Sequence, residues 1–195
     1  MAVRRAKQEA GTAERILDIA ERLVQTRGFN SFSYADIAAE LGITKASLHY
    51  HFSSKEMLGQ TLITRYADRF ADALERIDED IPDAPAKLEA YADLYAGVLE
   101  GKRMCMCGIL AAEYQTLPKP MRSAVIRFFD DNQRWLADVL RQGQADKTLT
   151  FTGSADETAQ SILSTLEGAM LVARPYGDLA KFRSTADQLL AGLAD

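Results

Sequence analysis

Cysteine is scarce: two residues in a chain of 195 do not make a disulfide framework, and this fits a reducing compartment. No stretch approaches the run of about eighteen apolar residues that a membrane span needs, and the first residues lack the apolar centre of a secretion signal. The expectation is a cytoplasmic protein without a membrane partner. Positive charge is also short, with 23 Lys and Arg against 28 Asp and Glu and a net charge of −5. That balance excludes a protein that coats nucleic acid indiscriminately, which relies on a basic surface to release counterions. There is no Gly-rich phosphate loop and no Ser nucleophile elbow, and neither histidine lies near the cysteines in sequence. A thiol-dependent enzyme using Cys105 or Cys107 is therefore a remote alternative, and the expectation is a protein that is not an enzyme.

Apolar residues make up 47% of the chain and charged residues 26%, an ordinary balance for a globular protein with one or two domains and a real core. Helical periodicity runs through residues 12–27, 34–41, 45–52, 55–81, 86–99, 104–117, 121–144, 156–173 and 179–193, with breaks at Gly and Pro. No strand pattern of useful length is present; residues 148–153 are briefly β-like and read as a loop. The fold class is all-α, with about nine helices.

One segment decides the function class. Ser33 with Asp36 fits a capping box, after which Ile37, Ala38 and Leu41 share a face. Gly42 then supplies a positive φ, and Thr44 starts the next helix as its N-cap. Two short helices joined this way are a helix-turn-helix. Taking Leu48 as the inward anchor of the second helix, Ala46 and Tyr50 lie nearly opposite, with Ser47 and His49 to either side. A face of small, hydroxyl, imidazole and phenol groups suits a major groove. Lys45 can reach guanine or a phosphate, Ala46 a thymine methyl, and Ser47 base edges or backbone, while His49 and Tyr50 suit phosphate oxygens. Ser53 and Glu56 predict a second capping box ahead of the long helix that starts at Lys55. Arg4, Arg5 and Lys7 form a basic arm that either follows the DNA backbone or is simply solvated.

The stretch GFNSFSYADIAAELGITKASLHYHFSSKEML, residues 28–58, together with the helix before it, resembles the N-terminal domain of the TetR family of transcriptional regulators. By position, the resemblance implies DNA contacts at Ser33, Tyr34, Thr44, Lys45, Ala46, Ser47, His49, Tyr50, His51 and Lys55. Family members usually have Tyr at position 49 and often Gly or Pro at position 46, so the bases read do not transfer. It further implies a DNA-binding domain over residues 1–54 and a ligand-binding and dimerisation domain over residues 55–195. The expected partners are double-stranded operator DNA, a small-molecule effector and a second copy, with no cofactor and no metal. One recognition helix spans too few base pairs for genomic specificity, so the chain is expected to act as a homodimeric repressor reading two half-sites. Its last two helices are the candidate interface, with Ile162, Leu163, Leu166, Ala169, Met170 and Ala173 on one and Phe182, Leu189, Leu190 and Leu193 on the other; the same stripes also read as monomer core.

The sensor end carries Cys105, Met106 and Cys107. Residues two apart on a helix point about 200° from each other, which argues against a shared metal or a disulfide. In the first turn of a helix, beside Lys102 and Arg103, a single thiol gains thiolate character. By resemblance to electrophile-sensing members, whose cysteine stands eight residues before a Glu as Cys105 stands before Glu113, Cys105 is the candidate redox or electrophile sensor; otherwise these residues fill an apolar face. Tyr66, Phe70, Tyr91, Tyr95, Met106, Leu110, Tyr114, Phe128, Trp135 and Met170 are the candidate lining of an effector pocket, most of them equally suited to a core. Glu113 and Glu167, in apolar helices, either recognise a donor on the effector or face solvent.

Overall fold

The computed structural model describes residues 2–193, with side chains from residue 11 onward. Among those residues nine α-helices follow in order: α1 (Ala2–Arg27), α2 (Tyr34–Leu41), α3 (Lys45–His51), α4 (Lys55–Asp80), α5 (Ala84–Glu100), α6 (Met106–Ala112), α7 (Lys119–Asp146), α8 (Ala155–Ala173) and α9 (Leu179–Ala191). Short 3-10 turns at Phe29–Ser31, Tyr114–Thr116 and Arg174–Tyr176 join them. The β-like run at residues 148–153 is a loop with one backbone bridge at Leu149, and Thr150 N donates to Leu193 O at 2.8 Å. Helix α1 begins ahead of the expected residue 12; the side chains of Arg4, Arg5 and Lys7, and with them the proposed arm contacts, lie outside the described residues.

Helices α1 to α3 close on Ile16, Ala20, Leu23, Ile37 and Leu48, each buried. Burial of a Leu or Ile side chain stabilises by about 1.5–3 kcal/mol, so this stripe, rather than surface charge, holds the three helices together. Helix α4 leaves them, packs Leu58, Leu62, Ile63 and Tyr66 inward, and lies along α1 and α7. Arg65 with Asp18 and Arg69 with Glu21 add ion pairs between α1 and α4. An exposed pair such as Arg65 with Asp18 contributes about 0–1 kcal/mol and sets orientation more than stability, whereas Glu21 is buried against α4. Helices α7, α8 and α9 form the most extensively packed part of the remaining bundle.

Three expectations are corrected. The long helix is capped by Ser54, whose Oγ accepts from Met57 N at 3.1 Å, and not by Ser53, whose hydroxyl turns to the Met57 sulfur. The single helix expected over residues 104–117 is the short α6 followed by a 3-10 turn, because Thr116 directs both its amide and its hydroxyl to the Glu113 carbonyl. The apolar stripe proposed for a dimer surface is core: Ile162, Leu163, Leu166, Ala169, Met170, Ala173, Phe182 and Leu193 are buried within the monomer and Leu189 and Leu190 are half-buried against it. Leu171 and Val172, rotated about 100–200° from Met170, are the apolar residues of α8 left 62% and 64% exposed.

Candidate functional site

The turn between α2 and α3 forms as its residue types require. The Ser33 and Asp36 capping box is complete, Gly42 adopts φ 66° and ψ 33°, and Thr44 Oγ1 accepts from Ser47 N at 3.1 Å. A left-handed residue is needed at position 42 because the chain must reverse within one residue, and glycine takes that conformation without a Cβ clash. Leu48 is fully buried and fixes the roll of α3, which turns Lys45, Ala46, His49 and Tyr50 to solvent and leaves Ser47 and His51 half-buried. Tyr50 is 71% exposed. Its ring meets His51 edge to face, while the His49 ring lies against Tyr34 and its Nδ1 is 3.3 Å from Ser53 O.

Two of the residues expected to contact DNA turn toward the protein's own backbone. Tyr34 is buried and donates its hydroxyl to Phe52 O at 2.9 Å, tying the start of α2 to the end of α3; burial pushes its pKa up to about 12. Lys55 also points inward, donating to Phe29 O and Phe32 O at 2.5 Å each, with its ammonium over both phenyl rings. Burial lowers its pKa, against an opposite pull from Glu113 and Asp36.

Lys55 holds one end of the Phe29–Ser31 turn, and Glu113 holds the other. The Glu113 carboxylate accepts from Phe29 N at 2.6 Å and Asn30 N at 3.2 Å, and the Asn30 side chain donates to Thr116 Oγ1 at 2.7 Å. A short helical turn presents free amides at its start and free carbonyls at its end, so a carboxylate and an ammonium are the matching partners. Gly28, just ahead, has φ 92°, and a Cβ there would lie 2.7 Å from Glu113 Oε1. Beside it, Met104 N donates to Gln25 O, Gln25 Nε2 donates back to Met104 O, and Arg174 donates to Thr26 O. Residues 104–113 and Arg174 thus grip the end of α1 and the turn that leads to α2. Glu113 is a structural clamp, a role that its position in an apolar segment did not disclose.

The sensor residues lie in the buried core. Cys105 is the N-cap of α6, and both it and Cys107 are fully buried, with pKa values raised by burial and then by the Glu167 charge. The electropositive first-turn setting expected for a thiolate is absent: Lys102 and Arg103 are on the exposed turn, and Cys105 meets the Tyr66 hydroxyl and the Glu167 carboxyl instead. Tyr66, Phe70, Tyr91, Tyr95 and Phe128 pack ring against ring, and Trp135 stacks on Tyr91 at 5.5 Å. The Tyr91 hydroxyl lies 3.1 Å from both the Tyr95 hydroxyl and Asn132 Oδ1. Met106, Leu110 and Met170 are buried alongside, whereas Tyr114 sits outside this cluster under Arg122. These rings fill the space expected to be a pocket. A cleft of about 420 Å³ opens instead beside them, walled by Gly28, Ile109, Glu113, Phe129, Glu167 and Arg174 among others.

A three-helix head with an outward α3, joined by a long α4 to a helical bundle, defines a helix-turn-helix DNA-binding regulator. Residues 16–60 match the family described as bacterial regulatory proteins, tetR family, and residues 84–189 match the tetracyclin repressor-like C-terminal domain. The chain belongs to the TetR family of transcriptional regulators, whose members regulate transcription and are not enzymes. A TetR-family regulator from Agrobacterium tumefaciens superposes with a TM-score of 0.93 at 34% identity, covering 96% of this chain and 100% of that one. The transcriptional repressor NemR of Escherichia coli is 27% identical over 176 residues, 85% of each chain. AibR, solved in complex with isovaleryl coenzyme A and operator DNA, shares the fold with a TM-score of 0.74 at 24% identity, covering 93% of this chain and 97% of that one. No helix among the described residues is long and apolar enough to cross a membrane.

Proposed function

We propose that the chain is a homodimeric repressor that reads its operator through α3 and is released when a small molecule binds the bundle. In this reading residues 1–54 form the DNA-reading unit and residues 55–195 the effector and dimer unit. The observation that carries it is the orientation of α3: Leu48 anchors the helix from below while Lys45, Ala46, His49 and Tyr50 stand clear of the protein's own surface. Those four, with Ser33, Thr44, Ser47 and His51 at the margins, are the DNA contacts of this proposal. Tyr34 and Lys55 hold the unit in shape.

A twofold pair sets two such helices about 34 Å apart, or a multiple of that, to meet half-sites on one face of a duplex. The outward face of α8, where Ser161, Ser164 and Gly168 lead to Leu171 and Val172, is the proposed contact between copies, with α9 beside it. Small side chains let two helices approach closely, and the two exposed aliphatic residues supply the apolar area.

Release follows from linkage: an effector that favours a spacing unsuited to the half-sites weakens DNA binding by the factor with which DNA weakens effector binding. Helix α4 is the lever, and the clamp of Glu113 on the turn after α1 is a second connection between bundle and reading unit. The buried, high-pKa cysteines favour a non-covalent effector over thiol chemistry.

The test is fluorescence anisotropy with the DNA flanking the protein's own gene, at several salt concentrations. Specific binding with a steep salt dependence, weakened about tenfold or more by Lys45→Ala with Tyr50→Ala, is expected. Equal affinity for unrelated duplexes would overturn the reading.

A further inference from the structure

Glu167 carries one of four buried side-chain atoms that find no hydrogen-bond partner among the described residues. Its Oε1 is buried and has no hydrogen-bond partner, while Oε2 lies close over Gly108, where a Cβ would come within 2.3 Å. The carboxyl group accepts a hydrogen bond from the Cys105 thiol, a weak donor. A buried acceptor without a donor costs about 1–3 kcal/mol, more when charged, and native proteins keep few of them. Glu167 lines the cleft between the end of α1, α6 and α8, whose α8 wall, Gly168 and Leu171, borders the proposed contact between copies.

The cleft also states what kind of donor. Ile109 and Phe129 give it apolar walls, and Glu113 places a second carboxylate in the same lining. Of the two guanidinium groups there, that of Arg174 is turned onto the Thr26 carbonyl, and Arg27 lies at the α1 end. We propose that this cleft takes a small organic cation, an ammonium on a short hydrocarbon body, with Glu167 as its counter-ion. The ammonium donates to Oε1, and the hydrocarbon lies along Ile109 and Phe129. Because Glu113 also holds the amides of Phe29 and Asn30, a cation beside it draws on the carboxylate that fixes the turn ahead of α2. The regulatory half of this proposal rests on the effector-released repressor reading; the binding half does not.

The experiment is a calorimetric titration of the full chain, without DNA, against n-butylammonium, n-butanol and butyrate. The ammonium is expected to bind, the alcohol about tenfold more weakly or worse, and butyrate not at all, since a charge-assisted hydrogen bond is worth at least a factor of ten. Glu167→Gln keeps the shape, removes the charge and is expected to lose about tenfold in ammonium affinity while unfolding no earlier than the parent chain. In a second arm, n-butylammonium is expected to lower operator affinity of the parent chain and leave that of Glu167→Gln unchanged. No ammonium binding, equal binding of ammonium and alcohol, a preference for butyrate, or a Glu167→Gln chain that binds ammonium like the parent would each overturn the site. Ammonium binding without any operator binding would overturn the DNA reading and leave the cation site standing.

Discussion

The two ends of the reading unit are held in opposite ways. Helix α3 is positioned by neighbours in sequence: Thr44 caps it, Gly42 turns the chain into it, and Leu48 anchors it. The Phe29–Ser31 turn that feeds α2 is positioned from 23 to 84 residues away, by Lys55 and Glu113. The difference separates recognition from control. A helix fixed by local rules keeps its shape whatever the bundle does, whereas a turn clamped by a distant carboxylate moves when that carboxylate moves.

The strongest way to break the comparison is at Gly28. Gly28→Val imposes a side chain on a residue at φ 92° and drives it into the Glu113 carboxylate. We expect a loss of about 3 kcal/mol in urea unfolding and loss of operator binding, from backbone strain together with the freed clamp. A chain that folds and binds normally would show that the turn is not held from afar.

Glu167 sharpens it next. Burial pushes its pKa up to about 7 from 4.5, so the folded state holds a proton that the unfolded state has released. Its contribution to stability is therefore full below about pH 4.5 and is lost as the pH rises through about 7. The facing Cys105, Cys107, Tyr66, Tyr91 and Tyr95 are all shifted upward by burial and stay neutral across this window. Chemical unfolding between roughly pH 5 and 8 should show stability falling by about 2–3 kcal/mol, with the slope flattened in Glu167→Gln.

A smaller effect concerns the thiols. Buried cysteines with raised pKa values react slowly, so a thiol reagent should modify native protein at least tenfold more slowly than urea-unfolded protein. Cys105→Ser should bind operator and respond to effector as the parent does; loss of the response would return the sensor role to Cys105. The smallest expected change is at the end of α7, where Lys147 adopts φ 58°. Lys147→Gly should raise stability by about 0.5–1 kcal/mol, read as a higher thermal midpoint, with operator affinity untouched.

What was legible in the sequence follows the same division. Caps, turns and helical stripes are local, and residues 33–52 disclosed the helix-turn-helix and the outward face of α3. The inward turn of Tyr34 and Lys55 was hidden, because a phenol and an ammonium beside a DNA-reading helix look the same whether they meet phosphate or their own backbone. The clamp that Glu113 makes was not legible, because its partners lie 83 and 84 residues earlier, where no spacing rule reaches. The aromatic residues of the bundle read equally as core or pocket in the sequence; only their mutual packing distinguishes a filled interior from a cavity.

The central claim is tested most directly by footprinting the chain on the DNA upstream of its own gene. Two protected half-sites, centred about one or two helical turns apart and erased together by Lys45→Ala with Tyr50→Ala in a chain of unchanged thermal midpoint, are predicted. Protection at a single site, or a footprint that survives the double substitution, would contradict the account.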